Sequence, residues 1–381
     1  MTIVHVIPFL WSGAGQAVTR LCLAQRASAD VHVVTSQRSG LLADWPSYRQ
    51  RLRRAGVTLH RVNTFDRTAP VFWDAVTRLA GLIDALQPDV LHAHAGAPAT
   101  VCAIARQRTN RSRLPLVAHM YSWGPGRPSW MDAMDTWGMA SADATICSAH
   151  AYMNVLRAGG VNARRLHYVP WGVDAPPRQK TSYAVEPRRG ALGFVGRIEP
   201  RKQQLQLVQA MRHVVGVRPQ ATLDLIGPTA DEAYAARLRA EVDALGLHGH
   251  VQLHGRVASV WPALARLDLF VSLSDDEGQG LAVLEAMAAG VPVAARRVAG
   301  IEDYLTHRRT GLALPDTGAR PLAHCLLAAL DDEPGRETVA RRAQTLVAAR
   351  YLWPVTLKRI EAVYRAARRN ARRPSLRPTM P

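Results

Sequence analysis

Short apolar, β-branched runs alternate along the chain with longer segments whose apolar residues recur every three or four positions. Ile3 to Ile7, Val31 to Thr35, Val90 to His94, Leu116 to His119, Ala144 to Cys147 and His167 to Pro170 read as buried strands. Stretches such as Gln16 to Arg26 and Trp73 to Leu86 carry the helical period between them. The pattern pauses over DAPPRQKTSYAVEPRRG, Asp174 to Gly190, whose prolines and charges mark a linker. It restarts with Ala191 to Gly196, Ala221 to Gly227, Val251 to Gly255, Leu269 to Leu273, Val291 to Ala295 and Gly311 to Leu314. Helical patterns at Gln203 to Val215, Asp231 to Leu245 and Leu281 to Ala289 separate these runs. Strands and helices in this order build parallel sheets covered on both faces. The expected fold is α/β: two tandem, Rossmann-like, doubly wound domains at residues 1–178 and 186–355. A helix-forming segment, 356–381, follows and ends in the basic run YRAARRNARRPSLRP.

Composition sharpens this picture in three ways. With 381 residues, 48% of them hydrophobic, the chain can fill two cores, and 20% charged residues are too few for a disordered protein. No apolar run approaches the roughly 18 residues of a bilayer span. The first residues, MTIVHVIPFLWSGAG, also lack the basic start and cleavage site of a signal peptide, so a cytoplasmic location is expected. The cysteines, Cys22, Cys102, Cys147 and Cys325, are widely spaced with no C-x-x-C pair and read as buried fillers.

The net charge of +18 is uneven: residues 1–180 hold 20 basic against 10 acidic side chains, and residues 358–381 hold eight against one. No glutamate precedes Glu186. Only three of the basic residues are lysine, which a GC-rich genome would explain, but genome composition does not explain the asymmetry. The front half and the tail are expected to face an anionic partner.

Three segments carry candidate chemistry. Gly13 to Gly15, after the first strand, reads as a tight turn letting backbone N–H groups approach an anion at a helix N-terminus; close helix packing is the other reading. Val18 occupies the third position where G-x-G-x-x-G needs a small residue, which disfavours a nicotinamide cofactor. In GFVGRIEPRKQ, Arg197 and Lys202 fall in a strand-to-helix loop, where ligands of open α/β sheets bind, and two cations there suit a diphosphate. In SLSDDEGQGLAVLEAMAAGVPVAA, Glu277 precedes a helix and Glu285 lies two turns along it, a pair suited to accepting hydrogen bonds from sugar diols.

With these elements in this order, the chain resembles the GT-B retaining, nucleotide-sugar-dependent glycosyltransferases of family 4 (glycosyl transferases group 1). Further carriers of the resemblance are VAHM with His119, ICS at 146–148, VPWGVD at 169–174, VGRIEPRK, VQLHGRV at 251–257, and AGI at 299–301. The resemblance implies an interdomain cleft and a C-terminal helix that returns to the N-terminal domain. It assigns the donor diphosphate to Arg197 and Lys202, with Gly13 and Gly15 touching it or the acceptor. Hydroxyls of the transferred sugar go to Glu277, a phosphate to the backbone of Gly280 and Leu281, and the ribose to Glu285. His254 to Arg256 would flank the base, and His119 would sit over the donor sugar as a positioning group. Gln279, Trp171 and Ala299 depart from the family's usual Phe, Asn and Gly.

The expected donor is a UDP- or GDP-sugar and the expected acceptor a saccharide or a lipid-linked, polyprenyl-diphosphate saccharide. No Asp-x-Asp occurs in the sequence, so neither a divalent metal nor another cofactor is expected. His92 and His94 share one side of a strand, but no third metal ligand is evident in the sequence. The competing functions are nucleic-acid or anionic-surface binding without catalysis, and sugar-nucleotide epimerisation. The first leaves Arg197, Lys202, Glu277 and Glu285 unexplained, and nucleic acid is not expected as a partner. The second needs further acid/base carboxylates. The arginines of Tyr48 to Arg61 and the tryptophans Trp123, Trp130 and Trp137 suggest peripheral association with the inner face of the cytoplasmic membrane.

Overall fold

The computed structural model describes residues 1–36, 45–122, 127–177, 190–316 and 318–372. It divides into two compact units, the first made of 1–171 and 356–381, the second of 172–355.

The first unit is built from β1 (Thr2–Ile7), α1 (Ser12–Gln25), β2 (Asp30–Thr35), α2 (Pro46–Arg54), β3 (Thr58–Arg61), α3 (Ala69–Leu86), β4 (Val90–His94), α4 (Gly96–Gln107), β5 (Leu116–Met120), α5 (Ser129–Ala140), β6 (Ala144–Cys147), α6 (His150–Ala158) and β7 (Leu166–Tyr168). Its parallel sheet runs β3-β2-β1-β4-β5-β6-β7, so the chain leaves β1 to one side and returns on the other, making the β1/β4 border the topological switch point. β4, β5 and β6 are buried at every position, which is why their sequences read as continuous apolar runs rather than alternating ones.

The second unit comprises β8 (Ala191–Val195), α7 (Gln204–Val217), β9 (Thr222–Ile226), α8 (Glu232–Ala244), β10 (Val251–Gly255), α9 (Trp261–Leu264), β11 (Leu269–Ser272), α10 (Leu281–Ala288), β12 (Val293–Arg296), β13 (Leu312–Leu314), α11 (Ala319–Asp331) and α12 (Glu333–Arg350). Its sheet order, β10-β9-β8-β11-β12-β13, puts the switch point at β8/β11. Leu192, Phe194, Leu223 and Leu225 belong to one core layer, with residues of α7 and α11, and Phe270, Val293 and Ala295 belong to the other, with residues of α10. A final helix, α13 (Trp353–Arg372), crosses the boundary, and from Thr356 its residues belong to the first unit. There, Thr356 Oγ1 donates to Pro170 O at 2.9 Å and Asn370 Nδ2 to Asp143 O at 2.8 Å.

Several expectations change. The first unit stops at Trp171 rather than 178, because Val173 pairs with Leu352 inside the second. Gly13 to Gly15 form the first turn of α1 rather than a loop, and Gly15 is small because a Cβ there would meet the Leu10 carbonyl carbon at 2.6 Å. That close approach supports the packing reading for Gly15. The segment Tyr48 to Arg61 is α2 followed by the edge strand β3. Of the cysteines, Cys325 is only half-buried. Most of the expected linker (178–189), Trp123 and the tail from 373 lie outside the described residues.

Candidate active site

In the second unit the loops after β8 and β11 meet at the switch point. The β8 loop ends in a 3-10 turn, Pro200–Lys202, and Gln203 then takes a left-handed φ of 56° before α7 begins. Asp275 N donates to Arg201 O at 3.0 Å and Gln203 Nε2 to Asp275 Oδ2 at 2.5 Å, which laces the two loops together. Lys202, 8% exposed, donates from Nζ to Glu277 Oε1 at 2.5 Å, and Ser274 Oγ donates to the same oxygen at 2.9 Å. Arg197 Nη2 pairs with Glu199 at 2.9 Å, and Arg201 Nη1 with Asp276 at 3.2 Å. Burial pulls the Arg197 guanidinium below its ordinary pKa, with the Glu199 carboxylate opposing that shift. These cations and carboxylates are close and partly desolvated, and each cation is already paired with a carboxylate.

The β11 loop is held from below. Tyr304 Oη donates to Gln279 O at 2.8 Å, and Gly300 N donates to Glu277 O at 3.0 Å. Gly280, the N-cap of α10, has a φ of +72°, a conformation open to glycine at little cost. The positive end of α10 therefore opens four residues after Glu277, with the Leu281 amide in its first turn. Glu285, the fifth residue of α10, lies about one turn along it rather than two, partly buried. His254, at the end of β10, is 38% exposed at its side chain, and its Nε2 lies 2.8 Å from Asp224. Arg256 follows it, exposed.

The first unit carries its own polar cluster, on β1, β4 and β5. His5, His92, His94 and His119 are all fully buried. His119 stacks on Trp171, the tryptophan that departs from the family pattern, with ring centroids 4.4 Å apart and planes 12° from parallel. Both ring nitrogens of His119 lack hydrogen-bond partners among the described residues. Burial lowers its pKa to about 3, so the ring is neutral at neutral pH. Ala95, next to His94, has a φ of 91°, backbone strain of the kind that persists where the surroundings over-determine it.

Arg197, Lys202, Glu277, Gly280, Leu281 and Glu285 thus lie at or beside one switch point, and His254 and Arg256 lie two strands away, after β10. His119 belongs to the first unit, as do Gly13 and Gly15, both within α1. Ser274, Tyr304 and Gln203, which shape the loop, escaped the sequence reading; the Asp-Asp-Glu run beside a glycine pair was the signal that could have pointed to them. His5, Gln25, Tyr121 and Tyr364 were missed as well, because His5, Tyr121 and Tyr364 meet the β4 histidines, and Gln25 meets His5, only through pairing and packing across the fold.

Residues 11–175 match a family model described as Glycosyltransferase Family 4, and residues 177–346 match one described as Glycosyl transferases group 1. Among curated relatives, a glycogen synthase of Mycobacterium tuberculosis is 26% identical over 306 residues, covering 76% of this chain and 72% of the relative. A D-inositol 3-phosphate glycosyltransferase of Jonesia denitrificans is 31% identical over 223 residues, 54% of this chain and 52% of the relative. Among solved structures, Anabaena HepE in complex with UDP superposes with a TM-score of 0.80 at 21% identity, covering 96% of this chain and 100% of that one.

Proposed function

The chain belongs to the family 4 (group 1) glycosyltransferases of GT-B fold and is a nucleotide-sugar-dependent transferase, and we propose that its donor lies on the second unit, between the loops after β8 and β11. One observation carries this: Arg197, Lys202, Glu277 and the N-terminus of α10 converge at the β8/β11 switch point, where ligands of such sheets bind. Lys202 and Arg197 take the diphosphate, and Glu277, freed from Lys202, accepts hydroxyls of the transferred sugar. Glu285 takes the ribose hydroxyls, and His254 and Arg256 border the base.

Transfer breaks the bond from the sugar's anomeric carbon to the diphosphate oxygen and forms one to an acceptor hydroxyl, whose proton leaves to the diphosphate. In the retaining course that the family resemblance implies, the new bond forms on the face the diphosphate leaves. Negative charge grows on the leaving oxygens. The two cations and the α10 amides stabilise it there, and such preorganised electrostatics is usually the largest catalytic term. The absence of any Asp-x-Asp supports a metal-independent departure, the cations taking the role of the ion. The HepE complex with UDP supports a UDP-sugar donor, with a GDP-sugar as the alternative. The acceptor is a saccharide, free or carried on a lipid, in cell-surface polysaccharide or glycan assembly.

Lys202→Ala and Glu285→Ala test the site. Charge-assisted contacts are worth about 1.5–3 kcal/mol each, and each substitution should lower turnover at saturating donor by about two orders of magnitude with the fold intact. Near-normal transfer by either variant would remove that residue from the site.

A further inference from the structure

The switch point of the first unit holds chemistry that donor binding leaves unused. β1 and β4 pair so that His5 stands opposite His92, and His94, two residues on, shares its face. One ring nitrogen from each of the three lies within 4.8 Å of the other two, and all three side chains are fully buried. We propose that His5 Nδ1, His92 Nε2 and His94 Nε2 bind one divalent transition-metal ion of the zinc class.

The outward nitrogens supply the first argument. His5 Nε2 lies 2.7 Å from Gln25 Oε1, His92 Nδ1 lies 2.8 Å from Tyr364 Oη, and His94 Nδ1 meets Tyr121 Oη. A ligating imidazole presents one lone pair to the metal and gives its other N–H to an oxygen, which fixes ring and tautomer. All three rings have an oxygen in that outer position. With each proton on the outer nitrogen, three lone pairs face inward and no net proton is released on binding.

The inward side supplies the second argument. His92 Nε2 is buried without a hydrogen-bond partner among the described residues, a situation native interiors avoid. His5 Nδ1 and His94 Nε2 stand 2.9 Å apart, so in the metal-free chain a single proton must serve both.

Three imidazoles favour zinc, cobalt, nickel or copper over magnesium or calcium, with water or an anion as the fourth ligand of a tetrahedral ion. Gln25 sits on α1 and Tyr364 on α13, so the ion would tie two strands to the two helices that orient its ligands. The role is one of holding the first unit together, apart from the diphosphate chemistry of the second, and it stands whether or not the donor assignment does.

The test reads the metal itself. The full chain, carrying no polyhistidine tag, is incubated with zinc, passed through gel filtration and assayed for metal, and separately loaded with cobalt for visible spectroscopy. The expected result is one zinc per chain and cobalt absorption bands of a nitrogen-ligated tetrahedral site. His92→Gln should abolish both. Tyr364→Phe, which keeps all three ligands, should weaken zinc binding by about 10–100-fold. A wild-type chain that emerges without zinc and shows no cobalt bands overturns the proposal, as does wild-type stoichiometry in a folded His92→Gln variant. If His92→Gln fails to fold, the wild-type cobalt spectrum decides alone.

Discussion

A single methyl group is enough to probe the donor loop. A Cβ on Gly300 would lie 2.5 Å from the Gln279 backbone and 2.6 Å from Glu277 O. The obstacle is main chain, so it cannot swing aside. Gly300→Ala must push the segment carrying Glu277 away from Lys202, at the roughly 1–3 kcal/mol typical of overpacking. Transfer should drop by at least about tenfold, a loss that displacing a positioning group of this kind readily produces. Gly249→Ala, whose new methyl meets nothing within 4 Å, is the matched control and should change stability by no more than about 0.5 kcal/mol. Full transfer by Gly300→Ala would show that the Glu277 loop does not have to be held where the structure places it.

Among the elements, α13 is the one that serves a unit distant in sequence. Ile360, fully buried, Val363, Tyr364 and Ala367 face the first unit, although 184 residues of the second unit separate them from its other elements. Ile360→Ala should cost about 2–5 kcal/mol, and the loss should fall on the first unit. Hydrogen exchange would then show lost protection in β1, β4 and β5 with β8, β9 and β11 unchanged; equal loss in both sheets would contradict the assignment of α13. Sequence pattern revealed most strands within a residue or two, because central parallel strands are apolar throughout. It passed over β3, since Thr-Leu-His-Arg is an edge strand of half-buried and exposed positions with no apolar run. It placed Gly13 to Gly15 in a loop because a glycine pair signals a turn locally, whereas the requirement for Gly15 comes from the Leu10 backbone. The placement of Arg197, Lys202 and Glu277 in strand-to-helix loops, and of Glu285 on the helix that follows, was legible because such segments are local in sequence. The partnership of His5 with His92 was not, since it depends on which strands become neighbours.

For the whole molecule, the question is what the excess positive charge meets. No helix among the described residues is long and apolar enough to cross a membrane. Arg51, Arg53 and Arg54 are exposed on α2, and Trp130 is 52% exposed on α5, while Trp137 is partly buried. We propose that this basic first unit rests reversibly on an anionic leaflet, where each cation gains about 1 kcal/mol. Cosedimentation with phosphatidylserine-containing vesicles should be strong at low salt and lost at high salt. No binding at low salt would refute it.

Thermal unfolding of the full chain against a panel of nucleotide sugars decides whether the β8/β11 switch point is a donor site. A ligand at 100 times its dissociation constant adds about 2.7 kcal/mol, a readable rise in midpoint. One nucleoside diphosphate sugar should raise the midpoint of the wild type, by the same amount with EDTA present, and should raise it far less in Lys202→Ala and Glu285→Ala. Protection by none of the panel, or equal protection of the wild type and both variants, would contradict the assignment.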